Sequence, residues 1–179
     1  MRKIKSVTVL VMVLLQAGCA STAFEGYQPD GRYCFRISKR KVCTVDPVPM
    51  VEAEVEAKKF EPLPDRSVVW LVRDAPLDPF GKVTVTIQGQ QVMMLPHTVA
   101  RIALPSGAIN LVAHLGSRDI DALTIAGTPG EQLFVEVHAD VGLFATCFSL
   151  RRIPDDDGRR KALASKLIKD STTRASVDR

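Results

Sequence analysis

From Ser67 to Ile153 the chain never runs more than about a dozen residues without a turn signal, and that punctuation limits what it can become. Val68–Val72 is continuously apolar, as expected of a strand covered on both faces. Lys82–Gln88 alternates, with Val83, Val85 and Ile87 on one side, so it predicts a strand with one wet face. Gly89 and Gln90 turn the chain into a run ending at Leu95, and further runs follow at Thr98–Leu104, Ile109–Leu115, Asp121–Ala126, Gln132–Val137 and Leu143–Leu150. Pro105 to Gly107, Gly127 to Gly130 and Asp140 to Gly142 separate the later runs, where proline presets φ and glycine permits positive φ. No connection is long enough for a helical crossover, so the expectation is all-β: an antiparallel β-sandwich of about seven or eight strands.

The ends differ from this middle. Arg2, Lys3 and Lys5 precede an uncharged apolar run, Val7–Leu15, the order of an export signal; the run is too short for a bilayer span, which needs roughly 20 residues. Residues 19–65 read as a leader interrupted by Pro29, Pro47, Pro49, Pro62 and Pro64. Within it, Val51–Lys59 fits either a short helix, with Glu54 and Lys58 four apart, or an extended linker. Residues 66–153 hold the sandwich. In 154–179, Asp155, Asp156 and Asp157 suit a helix start, where the dipole favours negative charge. Leu163, Leu167 and Ile168 fall on one side of a short amphipathic helix, and a loose polar tail follows from Ser171.

Cysteine usage points to an oxidising compartment. Cys34 and Cys43 flank a polar stretch; if a hairpin closes around Ser38 and Lys39, they face one another and form a disulfide. Cys147 lies in an apolar run and reads as a small buried hydrophobe. Of the 24 basic residues three lie in the signal, which leaves 21 against 20 acidic ones, so the net charge of +4 gives no reason to expect a nucleic acid partner.

Chemical motifs are sparse. His97, His114 and His138 are far apart with no helical or strand-spaced partner, so no metal or other cofactor is expected. Ser38 and Lys41 match the bare S-x-x-K pattern, but at a polar hairpin tip rather than a buried helix start, and no second motif of that class is present. No G-x-S-x-G elbow, phosphate-binding glycine loop or H-E-x-x-H occurs, so no catalysis is expected. Two basic groups, Lys39, Arg40 and Lys41 at the hairpin and Arg159, Arg160 and Lys161 on the helix, are candidates for contact with an anionic surface.

Ala17-Gly18-Cys19 resembles the end of the bacterial lipobox, although Gln16 stands where leucine is usual. That resemblance implies cleavage before Cys19, a diacylglycerol on its sulfur and a palmitate-type acyl chain on its amine. Several acyl chains together hold a protein stably at a membrane, where one does not. Ala20 and Ser21 follow without the aspartate that resembles an inner-membrane retention signal, so the outer membrane, on its periplasmic side, is the expected location.

The strand from Val69 to Arg73, the Pro105–Gly107 turn, the strand from Gly130 to Val137 and the segment Phe148–Leu150 together resemble bacterial lipoproteins carrying domain of unknown function 2846. Phe134 stands where that family usually has tyrosine, and Met93-Met94 where it has a glycine-containing step. The resemblance implies a transthyretin-like or related sandwich on a lipid anchor, with no established reaction. The expected role is a non-enzymatic envelope accessory protein that presents its sandwich to another envelope protein, for instance through an edge strand. The alternative is a binding module or weak hydrolase for cell-wall glycan.

Overall fold

The computed structural model describes residues 25–37, 39–74, 81–141 and 146–172. Cys19 and the residues read as an export signal lie outside them, as does Ser38. Three sheets form among the described residues. β1 (Glu25–Tyr27), β2 (Tyr33–Ile37) and β3 (Arg40–Cys43) make a small antiparallel sheet. The helix α1 (Val51–Ala57) follows. The sandwich is then laid down by β4 (Ser67–Arg73), β5 (Val83–Ile87), β6 (Gln90–Met94), β7 (Thr98–Leu104), β8 (Gly107–Leu115), β9 (Arg118–Gly127), β10 (Gln132–Val141) and β11 (Thr146–Ile153). The helix α2 (Asp155–Ala164) and a last strand β12 (Lys166–Asp170) complete it. One sheet has the order β11-β10-β4-β7-β12, the other β6-β5-β8-β9.

The fold is therefore an all-β sandwich with a C-terminal helix, as the punctuation predicts. It differs from the expected antiparallel arrangement in one respect: β10 pairs parallel to β4, and β12 parallel to β7. The chain satisfies the long-connection requirement of parallel pairing by routing β5, β8 and β9 through the opposite sheet before β10, and by inserting α2 before β12. Nine strands make the two facing sheets, more than the seven or eight expected, because β12 is built from residues read as helix.

β4 is buried along its whole length, which explains its unbroken apolar sequence. Val69 and Leu71 face the sandwich core, where they meet Val85, Ile87 and Leu111 of the opposite sheet. Burying each such side chain contributes about 1.5 to 3 kcal/mol relative to exposure. Val68, Trp70 and Val72 face the other way and pack with Phe134 and Leu167 under Ala57, Phe60 and Ala162. Trp70 Nε1 donates to Gln132 Oε1 at 2.7 Å, and Gln132 Nε2 donates to the Phe60 carbonyl at 2.8 Å, so the buried indole and amide satisfy one another. The β5–β6 hairpin turns at Gln88 and Gly89, both at positive φ, as the twist of a two-residue hairpin favours.

The segment read as a leader is integrated into this body. Tyr33, Phe35 and Val48 join the sandwich core, while Ala57 and Phe60 close the outer face of the five-stranded sheet. Cys34 and Cys43 are direct cross-strand partners joined by a disulfide. Thr44 N donates to the Tyr33 carbonyl at 2.8 Å, which makes the neighbouring cysteines a non-hydrogen-bonded pair, the closer kind. Removing the crosslink as Cys34→Ser/Cys43→Ser is expected to cost about 2.5 kcal/mol through the freed loop, read as a lower urea midpoint.

Two readings are corrected. Leu163, Leu167 and Ile168 do not share a helix face: α2 ends at Ala164, Leu163 is exposed, and Leu167 and Ile168 point to opposite sides of β12. Cys147 is exposed rather than buried, because it sits on the outward side of edge strand β11, just before the inward-facing Phe148 and Leu150. Ser171 and Thr172 are also held, Ser171 N donating to the Arg101 carbonyl at 2.9 Å.

Candidate interaction surface

At one end of the sandwich, edge strands β6 and β12 lie near each other, and the segment from Thr44 to Pro49 runs over them. Its course is set locally. Thr44 Oγ1 accepts from Tyr33 N at 3.1 Å and donates to the Asp46 carbonyl at 2.8 Å, while Val48 N donates to the Gly31 carbonyl at 3.0 Å. Gly31 has φ +79°, and a Cβ there would stand 3.2 Å from Pro47, so glycine suits the position twice over. Two contiguous open clefts result, of about 370 and 940 Å³, sharing Asp46, Ile168 and Lys169. The first also presents Val45, Lys82 and Met93; Val45 is 75% exposed at its edge.

The edges are blunted by charged side chains. Lys169 Nζ spans the cleft to donate to the Gln91 carbonyl of β6 at 3.0 Å. Glu54 Oε1 accepts from Leu167 N of β12 at 3.1 Å, and Asp121 Oδ2 accepts from Leu150 N of β11 at 2.6 Å. An added strand would find these groups already taken. At this end the cleft offers side chains, whereas these backbone groups of the edges are no longer open to an added strand. Sequence reading missed the cleft because β12 was read as helix; the exposed Val45 between polar neighbours and prolines was its one local signal.

The two predicted basic groups are on separate elements and differently engaged. Lys39 and Arg40 are exposed beside the β2–β3 turn, and Lys41 Nζ donates to Gln28 Oε1 at 2.6 Å. On α2, the Arg159 guanidinium lies 4.9 Å over the Phe60 ring and 6.0 Å over that of Phe134, as a lid on the aromatic cluster. Arg160 pairs with Asp157, and Lys161 Nζ bonds Glu136 Oε1 at 2.5 Å and Asp157 Oδ2 at 3.2 Å. Arg160 thus braces the helix from within, and Lys161 ties it to β10. Asp155, Asp156 and Asp157 occupy the first turn of α2 without a side-chain cap bond, so their benefit there is electrostatic.

These pairs give a pH window. Arg160, and behind it Lys161, hold the Asp157 carboxyl below its ordinary 3.8. Burial works against the Lys161 charge, but the bonds to Glu136 and Asp157 outweigh it and raise the ammonium above its ordinary 10.5. A lowered carboxyl stabilises above its unfolded value and fails as pH falls through the folded one; a raised ammonium stabilises below its unfolded value and fails as pH rises through the folded one. The internal ion pairs of α2 are therefore expected to weaken below about pH 3.8, and its tie to β10 through Lys161 above about pH 10.5. Thermal midpoints across that range check this, and Lys161→Met should flatten the alkaline fall.

The histidines stay apart. His97 Nδ1 lies 3.3 Å from Asp74 Oδ1; His114 bridges Thr86 Oγ1 at 2.9 Å and Asp119 Oδ1 at 2.7 Å; His138 lies 3.7 Å from Glu136. Among the described residues no three histidine, cysteine or acidic side chains gather as a metal site. Arg73 is buried at the end of β4, donating to the Met94 carbonyl at 2.6 Å with its guanidinium 5.3 Å over Phe148. Burial lowers its pKa to about 9, above neutral pH, so it stays cationic. No family model matches the chain, and no curated protein matches it.

Proposed function

We propose that this chain is a lipid-anchored accessory protein of the bacterial envelope, held through Cys19 at the outer membrane on the periplasmic side. There its sandwich engages another envelope protein without catalysis. The observation that carries the anchor is the order of basic head, apolar run and Ala17-Gly18-Cys19; kinship with the domain 2846 lipoproteins belongs to the same reading. The observation that carries the interaction is the cleft between β6 and β12, where the exposed Val45 stands beside Asp46, Lys82 and Lys169. An exposed apolar anchor among polar groups is the usual anatomy of a protein contact.

Mass spectrometry of the mature N-terminal peptide tests the anchor, with an acylated Cys19 as the expected result. A photocrosslinking side chain at position 45 tests the cleft. It should capture one defined envelope protein that the same group at Thr124, on the exposed side of β9, does not, and Lys169→Glu should reduce the yield. Equal capture at both positions would sink the interaction. A second reading, binding of cell-wall glycan, draws on the polar lining that Asp46, Gln91 and Lys169 supply. Salt-sensitive retention on purified peptidoglycan, lost in Lys169→Glu, would favour it.

A further inference from the structure

α1 sorts its side chains in a way that folding alone does not require. Ala57 is buried, Ala53 lines the larger cleft, and Glu54 and Lys58 turn toward β12. Val51 and Val55, one turn apart, are left 55% and 60% exposed, next to Met50 at 74%. Two other large apolar side chains stand out nearby, Tyr27 at 45% and Leu163 at 58%. The ion network around Glu54 holds all of them together. Lys166 pairs with Glu54 and lies 4.2 Å over the Tyr27 ring, while Lys58 pairs with Glu54 at 2.7 Å and reaches the Leu163 carbonyl at 3.3 Å. Five of the six large apolar side chains exposed among the described residues thus belong to α1, to Met50 at its start, or to residues that the Glu54 network ties to it, and Val51 and Val55 face away from Ala53 and the cleft.

We infer that this face, made by Tyr27, Met50, Val51, Val55 and Leu163, rests on the lipid surface that holds the N-terminus and so orients the body. The inference depends on the lipid anchor proposed above. Chain length argues for that occupant. Tyr27 is eight residues from Cys19, and eight residues span at most about 28 Å even when fully extended. The patch cannot leave the neighbourhood of the acyl chains. A tether of that length keeps the bilayer at an effective concentration of about millimolar or more, so weak apolar contact suffices. Glu52 lies on the same helix and Glu56 pairs there with Lys59 at 2.6 Å, so the face carries no surplus of basic charge, and a zwitterionic surface matches it better than a strongly anionic one. Resting on this face leaves the cleft, on the Ala53 side of α1, open to the periplasm.

The test uses the full acylated chain, its N-terminal peptide first verified by mass, in vesicles of phosphatidylcholine and phosphatidylethanolamine. Cys147→Ser removes the free thiol, and a fluorophore is placed through Val55→Cys or, as control, Thr124→Cys. Brominated lipid should quench the label at position 55 several-fold more than at 124, while aqueous iodide shows the reverse. A label at 55 that iodide reaches as easily as at 124 overturns the inference. So does one shielded from both quenchers, which would mean that protein, a partner or a second copy, covers the patch. A mature chain without acyl groups defeats the anchor itself, a failure that the peptide mass reports separately.

Discussion

Gly158→Ala is expected to destabilise the protein by about 1 to 3 kcal/mol, although alanine is the better helix former by about 1 kcal/mol. Gly158 lies in α2 where the helix backbone presses on the outer face of the five-stranded sheet. A Cβ at this position would stand 2.2 Å from Phe134 Cγ and 2.4 Å from its Cβ, closer than such atoms ever sit. Phe134 has no room to retreat, since it is fully buried, stacks on Trp70 at 6.2 Å and meets Phe60 at 5.9 Å. The helix must lift, which strips Ala162 and the Arg159 lid from the same cluster. Urea unfolding reads the loss, and Phe134→Leu should recover part of it in the double variant, because the two sites share one contact. A Gly158→Ala protein as stable as the wild type would show that α2 does not bear on Phe134.

Glu54→Ala is expected to cost about 3 to 5 kcal/mol, the range for removing one partner of a buried ion pair. The carboxylate is nearly buried and serves three groups at once: Lys58, Lys166 and the backbone N–H of Leu167. Without it two cations remain in a poorly solvated site and β12 loses the cap on its edge. Burial lowers the Lys166 pKa from its ordinary 10.5 to about 8. A lysine whose folded value is depressed binds fewer protons folded than unfolded between those values, so stability rises with pH across that window. Removing Glu54 lowers the folded Lys166 value further, so wild type and variant gain stability alike above about pH 8; the deficit of Glu54→Ala, measured as the difference in unfolding free energy, should therefore shrink as pH rises towards about 8 and stay level above it. Glu54→Gln, which keeps an acceptor for Leu167 N, should lose less. A deficit independent of pH would mean that the lost hydrogen bond, not the stranded charge, dominates.

These two sites differ in how visible they are from the chain alone. Glu54 and Lys58 are a readable pair at helical spacing, but their joint partner Lys166 is 112 residues from Glu54 and no local pattern joins them. Gly158 reads as an ordinary weak point in a helix; only the approach of Phe134 from another element makes it required. The fold divides in the same way. Continuous burial of Val68–Val72, one wet face on Val83–Ile87 and the facing of Cys34 and Cys43 were all legible, because each follows from periodicity or from a turn between neighbours. β12 was not. Leu163 and Leu167 satisfy a helical spacing and Leu167 and Ile168 a strand equally well, and a run this short cannot separate the two.

By itself the sequence determined where the chain turns, which of its middle runs are strands and which cysteines face one another. Only tertiary structure decided that the segment before β4 packs on the body, that β10 and β12 pair in parallel, and that Lys161 and Arg159 of α2 reach Glu136 and the Phe60 ring. The physical reason is range. Periodicity, turn chemistry and cross-strand facing act over a few residues, whereas parallel pairing, edge caps and buried ion networks join residues tens of positions apart.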